Sequence, residues 1–314
     1  MIDLMYQVKR PSCSVHLPVR GLQYHVRCWG EPSPGVPVLA MLHGWMDVAA
    51  SFQFVVDALS DTFMQGRCVI APDWRGYGDT DGGGVDNYWF PDYLADLDFL
   101  VDHFSPDAPI DLVGHSMGGN VAMFYGGIRP ERVRRLVNLE GFGGPAGAPE
   151  QAPARYAKWM EQLKKHQRGE LALRAYDTLD GVAQRLTKTN PRLARDPAGH
   201  AKAAWLAPHW SRQNSQGAWE ILGDPAHKII NAQSLRVDEL CEVYKRITMP
   251  LLAVEASDDA MWQFWKGSFT QEVYHQRLTL VPDCRIVEVQ DAGHMLHHDQ
   301  PEQLAALLEP FLAP

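Results

Sequence analysis

The chain of 314 residues is long enough to bury a large core, and it fits one α/β domain with a big insertion or two small domains. Its 29 basic and 38 acidic residues leave a net charge of −9, which argues against a surface that binds nucleic acid or an anionic membrane. The five cysteines never form a C-x-x-C pair, so neither a disulfide framework nor a zinc site is predicted.

The N-terminal residues do not combine a basic start with a long apolar stretch, and the chain has no run of about 18 apolar residues. A secretion signal and a membrane-spanning helix are therefore not expected. We predict a cytoplasmic protein that acts on a small-molecule substrate, without nucleic acid or a membrane as its partner. Since no cofactor-binding fingerprint occurs, no cofactor is expected.

Apolar runs and helical periodicities alternate along the first part of the chain. Two alternating segments flank Arg20-Gly21 and predict an antiparallel edge hairpin. The strands that follow are continuous apolar runs, typical of a buried parallel sheet, and amphipathic helices separate them. The predicted strands are 15–19, 22–29, 38–42, 68–71, 110–113 and 133–139, and the predicted helices are 49–59, 88–104 and 120–127.

The alternation stops after residue 142 and resumes at 249, with strands predicted at 249–256 and 285–289 and helices at 269–278 and 301–312. Strands and helices in alternation imply parallel strands joined by right-handed crossovers, so the fold class is α/β, with a doubly wound, mostly parallel sheet. We predict that residues 1–142 and 249–314 form this core. Residues 143–248 read as a helical insertion without a clear strand, set on the core between two of its strands.

A glycine-flanked serine lies between a predicted strand and a predicted helix, in the run Gly114-His115-Ser116-Met117-Gly118. This context is what the G-x-S-x-G turn needs, because the sharp reversal projects the central side chain above the sheet edge. Ser116 is therefore the predicted nucleophile. The amide of Met117 would point at an oxyanion formed beside it.

Serine needs a base to react at neutral pH, and His294 is the best candidate because it follows the last predicted strand directly. For the carboxylate that orients the base, the chain order Ser…Asp…His favours Asp259, with Asp258 and Glu140 as alternatives. All three carboxylates lie at the carboxyl ends of predicted strands, the edge of the sheet where ligands gather.

Residues His43-Gly44-Trp45 end an early predicted strand opposite the serine turn. The Trp45 amide is the predicted second donor to the oxyanion. His43 is predicted to border the substrate site, where bracing the loop by hydrogen bonds is expected of it rather than proton transfer. His294, His297, His298 and Asp299 are close in sequence, but no structural zinc spacing matches, so no metal site is predicted.

Four motifs in order resemble those of the α/β-hydrolase superfamily, and the similarity covers nearly the whole chain outside the insertion. His43 to Asp47, with the pattern H-G-W-x-D, also resembles the serine-hydrolase-like proteins. One departure is Ala256, which stands where the G-x-x-D turn before the acid commonly has glycine, and this keeps Glu140 open as the acid. The motifs are the oxyanion loop 43–45, the D-x-R-G-x-G loop 73–78, the nucleophile turn 114–119 and the histidine segment 291–294.

The resemblance implies an α/β-hydrolase fold in which the insertion is a helical cap. Its residues Trp159, Trp205 and Trp210 are predicted either to line a substrate pocket or to pack cap helices onto the core. A cap of this size suggests an enclosed site for a small, fairly apolar substrate.

The function predicted from these features is a serine hydrolase of the carboxylesterase type, which cleaves a small carboxylic ester through an acyl-enzyme. Hydrolysis of a carbon–carbon bond in ring-fission products is an alternative that uses the same serine and histidine. Cofactor-free oxygenation of a heteroaromatic ring on the same fold is a second alternative, and a non-catalytic ligand receptor is a third.

Overall fold

The computed structural model describes residues 5–258 and 260–313. The strands in chain order are β1 (Cys13–Val19), β2 (Leu22–Trp29), β3 (Leu39–Leu42), β4 (Val69–Pro72), β5 (Ile110–His115), β6 (Val133–Leu139), β7 (Ala175–Tyr176), β8 (Ser211–Gln213), β9 (Trp219–Ile221), β10 (Leu251–Ala256) and β11 (Cys284–Val289). The helices are α1 (Gln53–Ala58), α2 (Asp61–Met64), α3 (Phe90–Phe104), α4 (Met117–Ile128), α5 (Ala152–Gln167), α6 (Leu179–Thr189), α7 (Pro197–Trp210), α8 (Val237–Tyr244), α9 (Ala260–Phe264), α10 (Gln271–Leu278), α11 (Leu296–Asp299) and α12 (Pro301–Leu312).

Within these residues, eight strands form one sheet in the order β1-β2-β4-β3-β5-β6-β10-β11. The hairpin β1–β2 is antiparallel and turns at Arg20 and Gly21, which both have positive φ, the geometry of a two-residue hairpin turn. Strand β2 also pairs antiparallel with β4, and the pairs from β4 to β11 are parallel. The predicted doubly wound, mostly parallel sheet is confirmed.

Helices cover both faces of the sheet because successive side chains of each buried strand point to opposite faces. In β3, Ala40 and Leu42 belong to the core on one face, together with residues of α3, α4, α8 and α10. Leu39 and Met41 belong to the core on the other face, with residues of α1, α11 and α12. The carboxyl ends of the parallel strands therefore open at one edge, between the two helical layers.

The insertion between β6 and β10 is not purely helical. It contains α5, α6 and α7, but also a small antiparallel sheet in the order β7-β9-β8. No strand is predicted here from the sequence. These strands have two or three residues each, which is too short for an alternating pattern to stand out.

Helix α8 lies inside the predicted insertion but packs with the core. Its residues Leu240 and Tyr244 join the same apolar cluster as the strands and α4. A Cβ on Gly127 of α4 would lie 2.2 Å from the backbone oxygen of Val243, so the two helices approach closely there. Packing therefore joins α8 to the core, and the boundary at residue 248 stays a prediction.

Helices α6 and α7 pack the insertion on the loop after β3 and on α1. Val182 and Leu206 from these helices share an apolar cluster with Val48 and Phe54. Among the described residues, no helix combines the length and the apolar character needed to cross a membrane.

Candidate active site

Ser116 lies in the sharp turn between β5 and α4, and its φ of +53° is in the left-handed region. The flanking glycines make this turn possible. A Cβ on Gly114 would lie 2.2 Å from the backbone oxygen of Gly118, and a Cβ on Gly118 would lie 2.2 Å from the backbone oxygen of Leu42. Because any larger residue would overlap the backbone, both positions require glycine, as the motif predicts.

Three side chains at the strand ends form a hydrogen-bonded triad, which consists of Ser116, His294 and Glu140. The Ser116 Oγ lies 3.0 Å from His294 Nε2, and His294 Nδ1 lies 3.1 Å from Glu140 Oε2. A carboxylate only accepts hydrogen bonds, so His294 carries its proton on Nδ1 and donates it to Glu140. His294 Nε2 is then free to accept the hydroxyl proton of Ser116.

Glu140 follows β6 directly and is only 4% exposed. Its backbone is held in the left-handed region, with a φ of +57°, and its Oε1 accepts a hydrogen bond of 2.7 Å from the Ala256 amide at the end of β10. Burial raises the pKa of the Glu140 carboxyl, although the hydrogen bond from His294 acts in the opposite direction. The carboxylate is therefore fixed by two partners in a site shielded from water.

This arrangement differs from the order of preference that the chain order suggested for the acid. Asp259, the first choice, lies outside the described residues. The alternative Asp258 accepts from the Ala260 amide at 2.9 Å and pairs with Arg192 at 3.4 Å, and neither partner belongs to the triad. Among the described carboxylates, Glu140 is the partner of His294.

Several residues other than glycine near this site have a left-handed backbone conformation. In the described part of the chain, four of the six such residues, Met46, Ser116, Glu140 and Asp291, follow the carboxyl ends of core strands. Each such residue costs of the order of 1–3 kcal/mol, and the strain persists only where the surrounding structure enforces it. The sheet core therefore holds the turns that carry the triad in one conformation.

The loop after β3 lies directly against the nucleophile. A Cβ on Gly44 would lie 3.1 Å from the Ser116 Cβ, so glycine at this position lets the loop approach. Trp45 and Ser116 line the same cavity, and the Trp45 indole donates to the backbone oxygen of His227 in the insertion, at 3.3 Å. Met117 is the first residue of α4, where backbone amides lack partners within the helix.

His43 lies behind this loop and not in the cavity wall. Its Nδ1 donates to the Gly44 oxygen at 2.8 Å, and its Nε2 accepts from the Trp74 amide at 2.9 Å. The ring is fully buried, and burial lowers its pKa, which keeps it neutral. His43, which was predicted to border the substrate site and to brace the loop, does not line this cavity, and its two hydrogen bonds hold the loop from within the core.

His115, which is not among the predicted site residues, supports the segment that carries the base. Its Nε2 donates to the backbone oxygen of His294 at 2.7 Å, so it fixes the segment that carries the base. Burial lowers the pKa of His115 well below its usual value, and the ring stays neutral. No local pattern could reveal this contact, since His115 ends β5 and His294 lies in the loop after β11, 179 residues further along the chain.

Two groups of described residues have donor atoms close enough to hold a metal ion. In the first, Asp47, His297 and His298 are all buried, with ligand atoms within 4.8 Å of one another. The rings of these two histidines also pack on Phe52 and Phe54, beneath the triad. The second group comprises His25, Asp73 and Asp79, where His25 and Asp73 already bind each other at 2.7 Å.

A cavity of about 450 Å³ opens above the triad, between the core and the insertion. Trp210 lines it and donates its indole N–H to Asp47 at 3.2 Å. Trp159 packs instead against Tyr88 and donates to Asn87, while Trp205 packs on Phe54 and Tyr6. Of the three predicted pocket tryptophans, therefore, only Trp210 lines this cavity, and the other two pack the insertion onto the core.

A family model described as the alpha/beta hydrolase fold matches residues 37–301. The chain belongs to the alpha/beta hydrolase fold family. The matched range contains all four motifs that suggested the family, so the resemblance is confirmed. As a member of this family, the chain is a hydrolase. Family membership does not identify its substrate.

Two curated relatives match this alpha/beta hydrolase over nearly its whole length. A serine hydrolase-like protein of Danio rerio is 24% identical over 321 residues, which cover 98% of this chain and 90% of the relative. A cis-3-alkyl-4-alkyloxetan-2-one decarboxylase of Shewanella oneidensis is 24% identical over 316 residues, with coverage of 99% and 91%.

Among solved structures, the thioesterase domain from the curacin biosynthetic pathway superimposes with a TM-score of 0.75 and 23% identity. The alignment covers 95% of this chain and 99% of that domain. At this level of identity the likeness supports the fold, insertion included, and not the substrate.

Proposed function

We propose that this alpha/beta hydrolase is a serine hydrolase that cleaves a small, fairly apolar carboxylic ester through an acyl-enzyme. The observation that carries the proposal is the hydrogen-bonded triad of Ser116, His294 and Glu140, with its distances of 3.0 and 3.1 Å. Both distances lie within the range for proton transfer and for orientation of the base.

In the proposed reaction, the Ser116 hydroxyl gives its proton to His294 Nε2 as its oxygen attacks the ester carbonyl carbon. His294 then passes this proton to the leaving alkoxide, and the acyl group stays on Ser116. A water molecule gives a proton to the same nitrogen and attacks the acyl carbon. His294 then returns this proton to the leaving Ser116 oxygen, which releases the acid and restores Ser116. Throughout, Glu140 stays ionised and stabilises the imidazolium.

The amides of Trp45 and Met117 are the proposed donors to the oxyanion of each tetrahedral intermediate. Two observations support this role: Met117 begins α4, and the loop at Gly44 lies against the Ser116 Cβ. Each such donor typically lowers the barrier by about 3 kcal/mol. A small, fairly apolar acyl group is proposed because aliphatic side chains such as Leu173, Leu186 and Ile221 line the cavity.

The experiment that tests the proposal compares Ser116→Ala with wild type on p-nitrophenyl esters from acetate to butyrate. We expect kcat/KM to fall by about a thousandfold or more, together with loss of labelling by a fluorophosphonate probe. The exposed Ser215 of the insertion provides the matched control, since Ser215→Ala should retain wild-type rates. Wild-type turnover by Ser116→Ala would overturn the mechanism.

The position of Glu140 favours one second candidate, because cofactor-free dioxygenases of heteroaromatic rings resemble this chain in carrying an acid on that strand and a tryptophan in the oxyanion loop. Oxygen uptake with a hydroxyquinolone substrate would identify that activity. Turnover of esters without oxygen uptake would exclude it in favour of hydrolysis.

A further inference from the structure

Positive charge gathers at the cavity above the triad. Three cationic side chains line it, all of them exposed residues of the insertion: Arg174 before β7, Arg185 on α6, and Lys228 after β9. Among the described residues that line the cavity, Asp47 is the carboxylate, and it is buried at the floor. Its Oδ1 already accepts from the Val48 amide at 2.9 Å. One buried carboxylate stands against three cations, so the positive charge near the mouth is not balanced by the floor.

These cations also lack acidic partners elsewhere in the described part of the chain. The Arg174 guanidinium lies over the Tyr176 ring, 5.2 Å from its centroid, and Lys228 Nζ donates to two backbone oxygens at 3.0 and 3.1 Å. Neither Arg174 nor Arg185 forms an ion pair with a described carboxylate. By contrast, Arg192 and Arg195 of the same insertion both pair with Asp291.

Two of the three cations are held in position by uncharged groups. Neutral backbone oxygens anchor the Lys228 ammonium, and an aromatic ring supports the Arg174 guanidinium. An arginine that is already supported in this way loses less freedom when it binds an anion, and its planar fork matches two oxygens at once. Partly fixed, unpaired cations at the mouth of a substrate cavity are typical of anion recognition.

Much of the rest of the cavity wall is apolar, although Thr189 and Asn190 also line it. Leu186, Leu193 and Ile221 line it together with Trp210, and Ser116 and His294 lie at its floor. A ligand that satisfies both regions has an apolar chain next to the triad and a negative charge at the end far from the reacting carbonyl.

We propose that Arg174, Arg185 and Lys228 form an anion-binding subsite that takes the terminal carboxylate of an ester substrate. This inference rests on the proposed function and names its substrate class, the monoesters of aliphatic dicarboxylic acids. A carboxylate is favoured over a phosphate because the cavity of about 450 Å³ must also hold the acyl chain, and a carboxylate is the smaller anion. Its two oxygens suit the arginine fork.

The test compares monomethyl adipate with methyl hexanoate, two esters of equal chain length that differ in the terminal carboxylate. Acid release is followed in a pH-stat at low salt. Wild type should prefer the adipate ester by about tenfold or more in kcat/KM, and the preference should shrink as ionic strength rises. A series from succinate to suberate should show an optimum length, since the carboxylate must reach the mouth.

Arg185→Gln and Arg174→Gln should each reduce the preference for adipate over hexanoate about tenfold. Lys188→Gln is the matched control, because this residue lies exposed on the same helix α6 but outside the cavity, and it should keep the wild-type preference. Equal use of the two esters by wild type would overturn the subsite. An unchanged preference in both arginine variants would do so as well.

Binding separates this inference from the proposed function. Calorimetry with adipate on the Ser116→Ala variant, which needs no turnover, should give an affinity that falls about tenfold when Arg185→Gln is added. If no ester is cleaved but adipate binding depends on Arg185, the proposed function fails and the subsite stands. Tighter binding of inorganic phosphate than of adipate would overturn the choice of carboxylate.

Discussion

The floor and the roof of the cavity are built in different ways. The floor comes from strand ends, where Ser116 and Glu140 are held by strained backbone and close backbone contacts. The roof comes from helices and short strands of the insertion, and its arginines are exposed. A rigid floor suits bond chemistry, which needs fixed geometry, whereas an exposed roof can change its side chains and so its substrate without disturbing that geometry.

The two regions meet at an aromatic stack. His227 of the insertion lies between Tyr77 and Tyr88 of the core, with ring centroids 3.8 and 3.7 Å away. Its Nε2 donates to the backbone oxygen of Arg75 at 3.1 Å. The roof therefore contacts the D-x-R-G-x-G loop of the core. The neighbouring oxyanion loop contacts it too, because the Trp45 indole donates a hydrogen bond to the His227 carbonyl.

The largest effect is expected from Gly118→Ala, which disturbs the close backbone contact at the serine turn. The new Cβ would lie 2.2 Å from the Leu42 oxygen, so either β3 or α4 must shift. We expect the free energy of unfolding to fall by about 4 kcal/mol or more, measured by urea denaturation.

Gly181→Ala in the roof helix α6 is the matched control. A Cβ there meets side-chain atoms only at 3.4 Å or more, which is ordinary contact. This change should leave the free energy of unfolding the same or raise it by about 1 kcal/mol, because alanine favours helix. Equal losses in the two variants would contradict the contrast between floor and roof.

The next effect separates chemistry from stability within the floor. Glu140→Gln keeps the shape of the side chain but removes the charge that stabilises the imidazolium and orients His294. We expect kcat/KM on the best ester to fall about a thousandfold, while far-UV circular dichroism stays unchanged.

Asp258→Asn is the control, since Asp258 pairs with Arg192, and its kcat/KM should stay within about tenfold of wild type. Asp259→Asn tests the acid that the chain order favoured. A thousandfold loss in that variant, with Glu140→Gln nearly active, would show that Glu140 is not the orienting acid.

The smallest effect concerns His227, which connects the insertion to the core. Burial lowers the pKa of His227 to about 4, so the folded state resists a proton that the unfolded chain takes up near pH 6.5. The unfolded state then binds more protons between pH 6.5 and 4, and stability falls as the pH drops through this window.

The variant His227→Gln cannot titrate. Between pH 7.5 and 5.0 its free energy of unfolding should fall by about 2 kcal/mol less than that of wild type. Urea denaturation at both pH values measures this, and His103→Gln on the surface of α3 is the control. If the free energy of unfolding had the same pH dependence in wild type and His227→Gln, protonation of this buried ring would not contribute to stability.

The elements predicted best from sequence are those with a strong local pattern. Buried strands such as β3 and β5 are continuous apolar runs, and the serine turn needs glycines at fixed spacing because of backbone overlap. The three short strands of the insertion were not predicted, because strands of two or three residues show no alternating pattern. The packing of α8 on the core was not predicted either, because it depends on contacts with residues far away in the chain.

The amino-acid sequence by itself determined the sheet, the nucleophile turn at Ser116 and the position of His294 after the last strand, since each depends on local backbone geometry. Only the tertiary structure decided which described carboxylate meets His294 and which of the insertion's three candidate tryptophans lines the cavity. It also decided which arginines are left without an acid. Those outcomes depend on distances between residues far apart in the chain, and no local pattern encodes such distances.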